Sequence, residues 1–180
     1  MRKTTLMILS ALFAALTALG AYIRIPTPVS SFTLQVLFTA MAGCLLGSRW
    51  GAASQAIYVL LGLAGLPVFT SGGGIPALFH PTGGFLPGMI AMAWVCGKIV
   101  EQKGCGFRQI CLACAVGLAI LYAIGLPWMH AIMTVYHKDW SIGTTLVSGM
   151  LLFLPWDILK TGITAMLCAR LRPILYHVPL

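Results

Sequence analysis

Long apolar runs, broken by short clusters of proline, glycine and charged residues, divide the chain into helical stretches at about 5–24, 33–48, 50–66, 83–102, 108–130 and 143–170. A membrane-spanning helix needs roughly 20 mostly apolar residues. The pattern therefore predicts an all-α integral membrane protein: a compact bundle of six transmembrane helices forming one domain over residues 1–180. The second and third stretches are short for a full span, and only "GSRWG" (47–51) separates them. They are expected to be tilted or partly sunken in the bundle.

Composition narrows the class. Hydrophobic residues make up 59% of the chain, charged residues 8%, and the mean hydropathy is +0.97. Soluble domains average about a quarter charged residues. The formal charge of +8 does not indicate nucleic-acid binding, because the basic residues stand singly at the ends of apolar runs instead of forming one patch. Arg2, Lys3, Arg49, Lys98, Lys103, Arg108, Arg170 and Arg172 fall on one side of the predicted bundle, and Arg24 and Lys138 on the other. The positive-inside rule then places both termini in the cytoplasm, in a multi-pass protein of the plasma membrane. The first stretch could pass for a signal peptide, but its apolar run is long for one and further spans follow at once, so it is read as a retained helix. None of the six cysteines falls in an outer loop on this topology, which argues against a disulfide framework.

The outer loops, 24–33, 66–84 and 129–141, hold much of the proline and glycine, including Pro26, Pro28, Pro67, Pro76, Pro81 and Gly72–Gly74. The second loop is long and itself apolar, with Val68, Phe69, Ile75, Leu78 and Phe79, and is expected to fold back over the bundle as a lid.

Ionisable side chains at membrane depth cost a few kcal/mol on insertion scales and mark functional sites by default. Asp157 and Lys160 lie three apart inside "LLFLPWDILKTGITAML" (151–167), on one helix face. They read either as a ligand-binding pair or as an ion pair bracing the bundle. Thr33 and Gln35 sit near the outer end of the second stretch, where the Gln amide offers an acceptor and two donors. Ala11, Ala14, Ala15 and Ala18 put small residues along the first helix, suited to close packing within the bundle or against another membrane subunit. "CLAC" (111–114) has redox spacing, but inside a predicted span its cysteines read as small apolar residues. His130, His137 and Asp139 do not make a convincing ligand set, and no metal or other cofactor is expected. No GxxxxGK[ST] loop is present, so ATP-driven transport would need a partner.

"RIPTPVSSFTLQ" (24–35), "GLAGLPVFTSGGG" (62–74), "HPTGGFLPGM" (80–89) and "PWDILK" (155–160), in that order, resemble the BioY family, the biotin-binding S components of energy-coupling factor transporters. The resemblance implies a non-enzymatic six-helix membrane protein that captures biotin from the outer side and docks on a transmembrane coupling subunit carrying two cytoplasmic ATPases. It further implies that Asp157 and Lys160 meet the ureido head of the ligand, that Thr33 and Gln35 contact or cover it, and that the alanine face of the first helix meets the coupling subunit. Two departures stand out. Family members use an asparagine near the third-to-fourth connection, and this chain has no Asn; Thr70, Ser71 or the amides of Gly72–Gly74 are the available substitutes. "HPTGG" also carries His80 where a glycine often precedes the motif. Two other readings remain open at this level: an intramembrane thiol oxidoreductase using Cys111 and Cys114, and a stand-alone channel or carrier.

Overall fold

A single glycine reverses the chain in its first third. Gly47 has φ 84°, a backbone conformation that glycine adopts without steric cost, and there helix α2 (Gln35–Leu63) doubles back on itself. Across the turn, the Thr39 hydroxyl donates to Gln55 Oε1 at 3.0 Å, and a Cβ on Gly51 would stand 2.7 Å from the Gly43 Cα. The two arms, 35–46 and 48–63, thus lie antiparallel and in backbone contact. At 1.5 Å per residue they reach only about 18 and 24 Å, short of a hydrocarbon core of about 30 Å.

The computed structural model describes residues 3–26 and 31–177. Around the α2 hairpin it places α1 (Lys3–Tyr22), a two-stranded antiparallel ribbon of β1 (Arg24–Pro26) and β2 (Ser31–Thr33), a short 3₁₀ turn (Ile75–Phe79), α3 (Phe85–Lys103), α4 (Phe107–Tyr136), α5 (Ile142–Leu146), a π turn (Val147–Leu151) and α6 (Leu154–His177). The ribbon departs from the all-helical expectation; strands of three residues are too short to leave an alternating pattern in the sequence. Pro28, the middle of the first outer loop at 27–30, and Arg2 lie outside the described residues. The expected helix at 108–130 extends to Tyr136 through Pro127. The one expected at 143–170 begins in α5, passes through the π turn and runs on to His177. Proline and local π geometry are tolerated in membrane helices because neighbouring groups satisfy the freed backbone.

α1 is a wall of the bundle: Gln55 Nε2 donates to Thr17 Oγ1 at 3.1 Å, and the Ser10 hydroxyl lies 3.2 Å from the Trp50 carbonyl. α3 packs between the α2 hairpin and α4, and is pinned to the hairpin by Glu101. Glu101 Oε1 accepts from the Ser48 amide at 2.7 Å, so a carboxylate caps the free N–H groups at the start of the second α2 arm. Among the described residues, α1, α4 and Ile142–Leu175 are each long and apolar enough to cross a bilayer, and α2 has the same length and apolar composition but is divided by its turn at Gly47. Large apolar side chains such as Met7, Leu12, Leu60, Leu112, Ile158 and Met166 are exposed around the bundle. In water such a belt would drive aggregation; this is a multi-pass membrane protein whose belt faces lipid.

Candidate ligand-binding site

Near the end of the bundle that carries the ribbon and the 66–84 loop, a cavity opens among the helices. Most of its wall is apolar, from Phe69, Phe85, Leu86, Met89, Met129 and Phe153. Its polar groups come from five segments that the fold brings together: β2, the start of α2, the 66–84 loop, α4 and the first turns of α6.

Asp157 and Lys160 both line this cavity and are buried, at 4% and 8% exposure. Lys160 Nζ lies 2.5 Å from Asp157 Oδ1, and it donates to the Thr33 carbonyl at 3.1 Å. The second carboxylate oxygen of Asp157 accepts from the Tyr122 hydroxyl of α4. The charges are therefore held in low dielectric by each other and by two further hydrogen bonds. An ammonium has three N–H groups and a carboxylate about four acceptor positions, so both retain capacity facing the cavity.

A second network adjoins the first at Thr33. Its hydroxyl donates to Gln35 Oε1 at 3.0 Å; Gln35 Nε2 donates to the Tyr58 hydroxyl at 2.7 Å, which donates in turn to the Val68 carbonyl at 3.2 Å. This chain orients the Gln35 amide at the cavity wall and ties the start of α2 to the root of the 66–84 loop. The loop itself folds over the bundle. Phe69 is buried against Tyr58 with ring centroids 5.4 Å apart, and it fills the space left by Gly62, where a Cβ would lie 2.1 Å from the ring. Trp128 Nε1 of α4 donates to the Leu78 carbonyl at 3.0 Å.

Two side chains latch the outer segments together: the Tyr22 hydroxyl donates to the Pro67 carbonyl, and the Arg24 guanidinium to the Thr70 carbonyl. Phe32 of β2 packs on Phe153 with ring centroids 4.5 Å apart, closing the ribbon onto α6. Among the substitutes for the missing asparagine, Thr70 and Ser71 line the cavity. The Gly72 and Gly74 amides are already committed, to the Phe69 carbonyl at 3.1 Å and the Gly62 carbonyl at 2.7 Å. His80 accepts from the Thr82 amide through Nδ1 at 3.3 Å, and burial lowers its pKa, keeping the ring neutral beside the cavity-lining Thr82.

Thr33, Gln35, Asp157 and Lys160 thus converge on one cavity. The α1 alanines are not equally exposed. Ala14 is buried at 3% exposure inside the bundle, which corrects its assignment to a partner surface; Ala11 and Ala15 are exposed, and Ala18 is half-buried. Cys111 and Cys114 part in a similar way: Cys114 is fully buried with its sulfur beside those of Cys44 and Cys96, whereas Cys111 borders a groove between α4 and α6. His130 Nδ1 is paired with Thr145 Oγ1 at 2.9 Å, and His137 lies against Trp140. The sequence reading missed Tyr122, Tyr58 and Phe153. Tyr122 had a usable signal: a tyrosine deep inside an apolar run, away from the interface where tyrosines gather, needs a polar partner.

The BioY family model matches residues 1–177. A probable biotin transporter BioY of Lysinibacillus sphaericus is 43% identical over 144 residues, covering 78% of this chain and 74% of that protein. The biotin transporter BioY of Thermotoga maritima is 36% identical over 167 residues, covering 92% and 95%. Among solved structures, the S-component for biotin from an ECF-type ABC transporter superposes with a TM-score of 0.83 at 26% identity, over 95% of this chain and 92% of that one.

Proposed function

The chain belongs to the BioY family, and on that premise we propose that it is the biotin-binding membrane subunit of a vitamin-uptake system, with no catalysis of its own. The observation that carries the reading to the residues is the Tyr122–Asp157–Lys160 network on the wall of a mostly apolar cavity. Biotin joins an apolar bicycle and valeryl chain to a ureido group and a carboxylate. The apolar wall accommodates the first two, while Asp157, Lys160, Gln35 and Thr33 supply the acceptors and donors that the ureido head requires. The ligand enters from outside the plasma membrane, beneath the ribbon and the 66–84 loop. Six segments traverse or enter the bilayer, and both termini lie in the cytoplasm with Lys103 and Arg108. A membrane coupling subunit with two cytoplasmic ATPases powers release, consistent with the absence of a phosphate-binding loop in this chain.

Orientation has a built-in reporter. Cys105 is exposed between α3 and α4, so a membrane-impermeant maleimide applied to intact cells should leave it unlabelled until the membrane is opened. Labelling from outside would reverse the topology.

Function and docking separate in one experiment. The purified chain should bind labelled biotin with one site per protein. An Ala15→Trp variant should keep that binding while ATP-coupled uptake falls at least roughly tenfold, because bulk on the exposed face of α1 blocks close helix approach without touching the cavity. Absence of saturable biotin binding by the wild-type chain would overturn the functional reading; unchanged uptake in the variant would remove Ala15 from the docking face.

A further inference from the structure

Three cysteines from three separate helices meet in the interior, well apart from the cavity. The sulfurs of Cys44 (α2), Cys96 (α3) and Cys114 (α4) all lie within 4.8 Å of one another, and the residues are 1%, 0% and 0% exposed. Glycines on the facing helices make room for this convergence. A Cβ on Gly117 would stand 2.5 Å from the Cys96 sulfur, and one on Gly43 would stand 2.9 Å from the Cys96 Cβ. No other His, Cys, Asp or Glu among the described residues joins the group.

We propose that Cys44, Cys96 and Cys114 form a binding site for a soft monovalent metal ion, of the class of Cu(I). Sulfur ligands select soft ions. Metal–thiolate bonds of about 2.3 Å put three sulfurs around a trigonal ion roughly 4 Å apart, so only small side-chain adjustments are needed. Zinc is disfavoured because a structural site for it takes four ligands, and the cluster has three.

Charge balance points the same way. In a low-dielectric interior the neutral assembly is favoured, and a monovalent ion reaches neutrality by displacing one proton. One S–H bond breaks and its thiolate binds the ion, the two remaining thiols complete the set of three metal–sulfur bonds by donating sulfur lone pairs, the proton leaves to solvent, and no electron is transferred. Cys96 already donates its S–H to the Ala113 carbonyl at 3.3 Å, so it keeps its proton and contributes a sulfur lone pair. The displaced proton comes from Cys44 or Cys114. The three residues lie three to seven positions from Gly47, Lys103 and Phe107, which mark the end of the bundle opposite the ribbon. That is about 5 to 11 Å of helix at 1.5 Å per residue, a short path for an ion arriving from that side.

The test uses the full-length chain, reduced and purified in detergent, and copper(I) held by a chromogenic chelator. One equivalent of copper should leave the chelator with release of one proton, and X-ray absorption of the loaded wild type should give three sulfur neighbours at about 2.3 Å. Cys96→Ser should weaken binding at least tenfold, while Cys105→Ser and Cys111→Ser leave it unchanged. Failure of the chain to withdraw copper would overturn the proposal. So would binding that survives Cys96→Ser, or is lost with the exposed Cys105. The absorption measurement needs no variant, so a misfolded Cys96→Ser protein would not leave the question open.

Discussion

Replacing Asp157 by Leu and Lys160 by Met together is expected to leave a monodisperse protein that binds biotin roughly a hundredfold more weakly. The fold should survive because a buried ion pair often contributes no more net stability than apolar residues of similar volume. Removing only one partner is the harsher change, since it strands the other charge in low dielectric at about 3–5 kcal/mol. Affinity should fall because the ureido group loses an acceptor and a donor. Each unsatisfied polar group costs on the order of 1 to 3 kcal/mol, and every 1.4 kcal/mol is about tenfold in Kd. Asp157→Asn should lose less affinity, because its amide oxygen still accepts from both the Tyr122 hydroxyl and a ureido N–H, but more stability, because Lys160 is left without its counter-charge. Equilibrium binding of labelled biotin to each purified variant decides the matter. Unchanged affinity in a folded double variant would make the pair a structural brace and withdraw the site assignment.

Gly97→Ala should be among the most damaging single-methyl changes to stability. Alanine normally favours a helix over glycine by about 1 kcal/mol, so the substitution starts with an advantage. Here its Cβ would stand 2.3 Å from the Ser48 amide nitrogen and 2.4 Å from the Gly47 carbonyl carbon, where the obstacle is backbone. Moving it would open the α2 turn and strain the Glu101 cap. Overpacking of this kind costs about 1 to 3 kcal/mol, enough to reverse the propensity gain. Gly162→Ala on α6 is the matched control, because an added Cβ there meets nothing within 4 Å. Thermal unfolding in detergent should give a lower midpoint for Gly97→Ala and an unchanged or higher one for Gly162→Ala. Equal midpoints for Gly97→Ala and wild type would show that α3 can shift away from the turn at little cost.

Much of this was legible from local pattern. Apolar runs of span length and a charged pair inside one of them are one-dimensional signals, so α1, α4, α6 and the Asp157–Lys160 pair could be placed by reading along the chain. "GSRWG" likewise marked the reversal within α2. What escaped depends on registers between helices. Tyr122 reaches Asp157, and Tyr58 reaches Gln35, only after α4 packs on α6 and the α2 arms pair. The α1 alanines show the same limit in reverse. Small residues three and four apart form one stripe, but packing of α1 on α2 buries Ala14 and leaves Ala11 and Ala15 outward. The cysteine cluster was invisible for a related reason: the spacing that drew notice, Cys111 to Cys114, contributes only one member.

The latches from Tyr22 and Arg24 both end on main-chain carbonyls, those of Pro67 and Thr70. A carbonyl is present whatever residue occupies the position. Descendants of this protein could therefore exchange the side chains at 70 and 71, which line the cavity, without unfastening the loop that carries them. Selection on vitamin preference and selection on gating would then act on different atoms of the same few residues, leaving the binding specificity free to drift while the closing device is inherited intact.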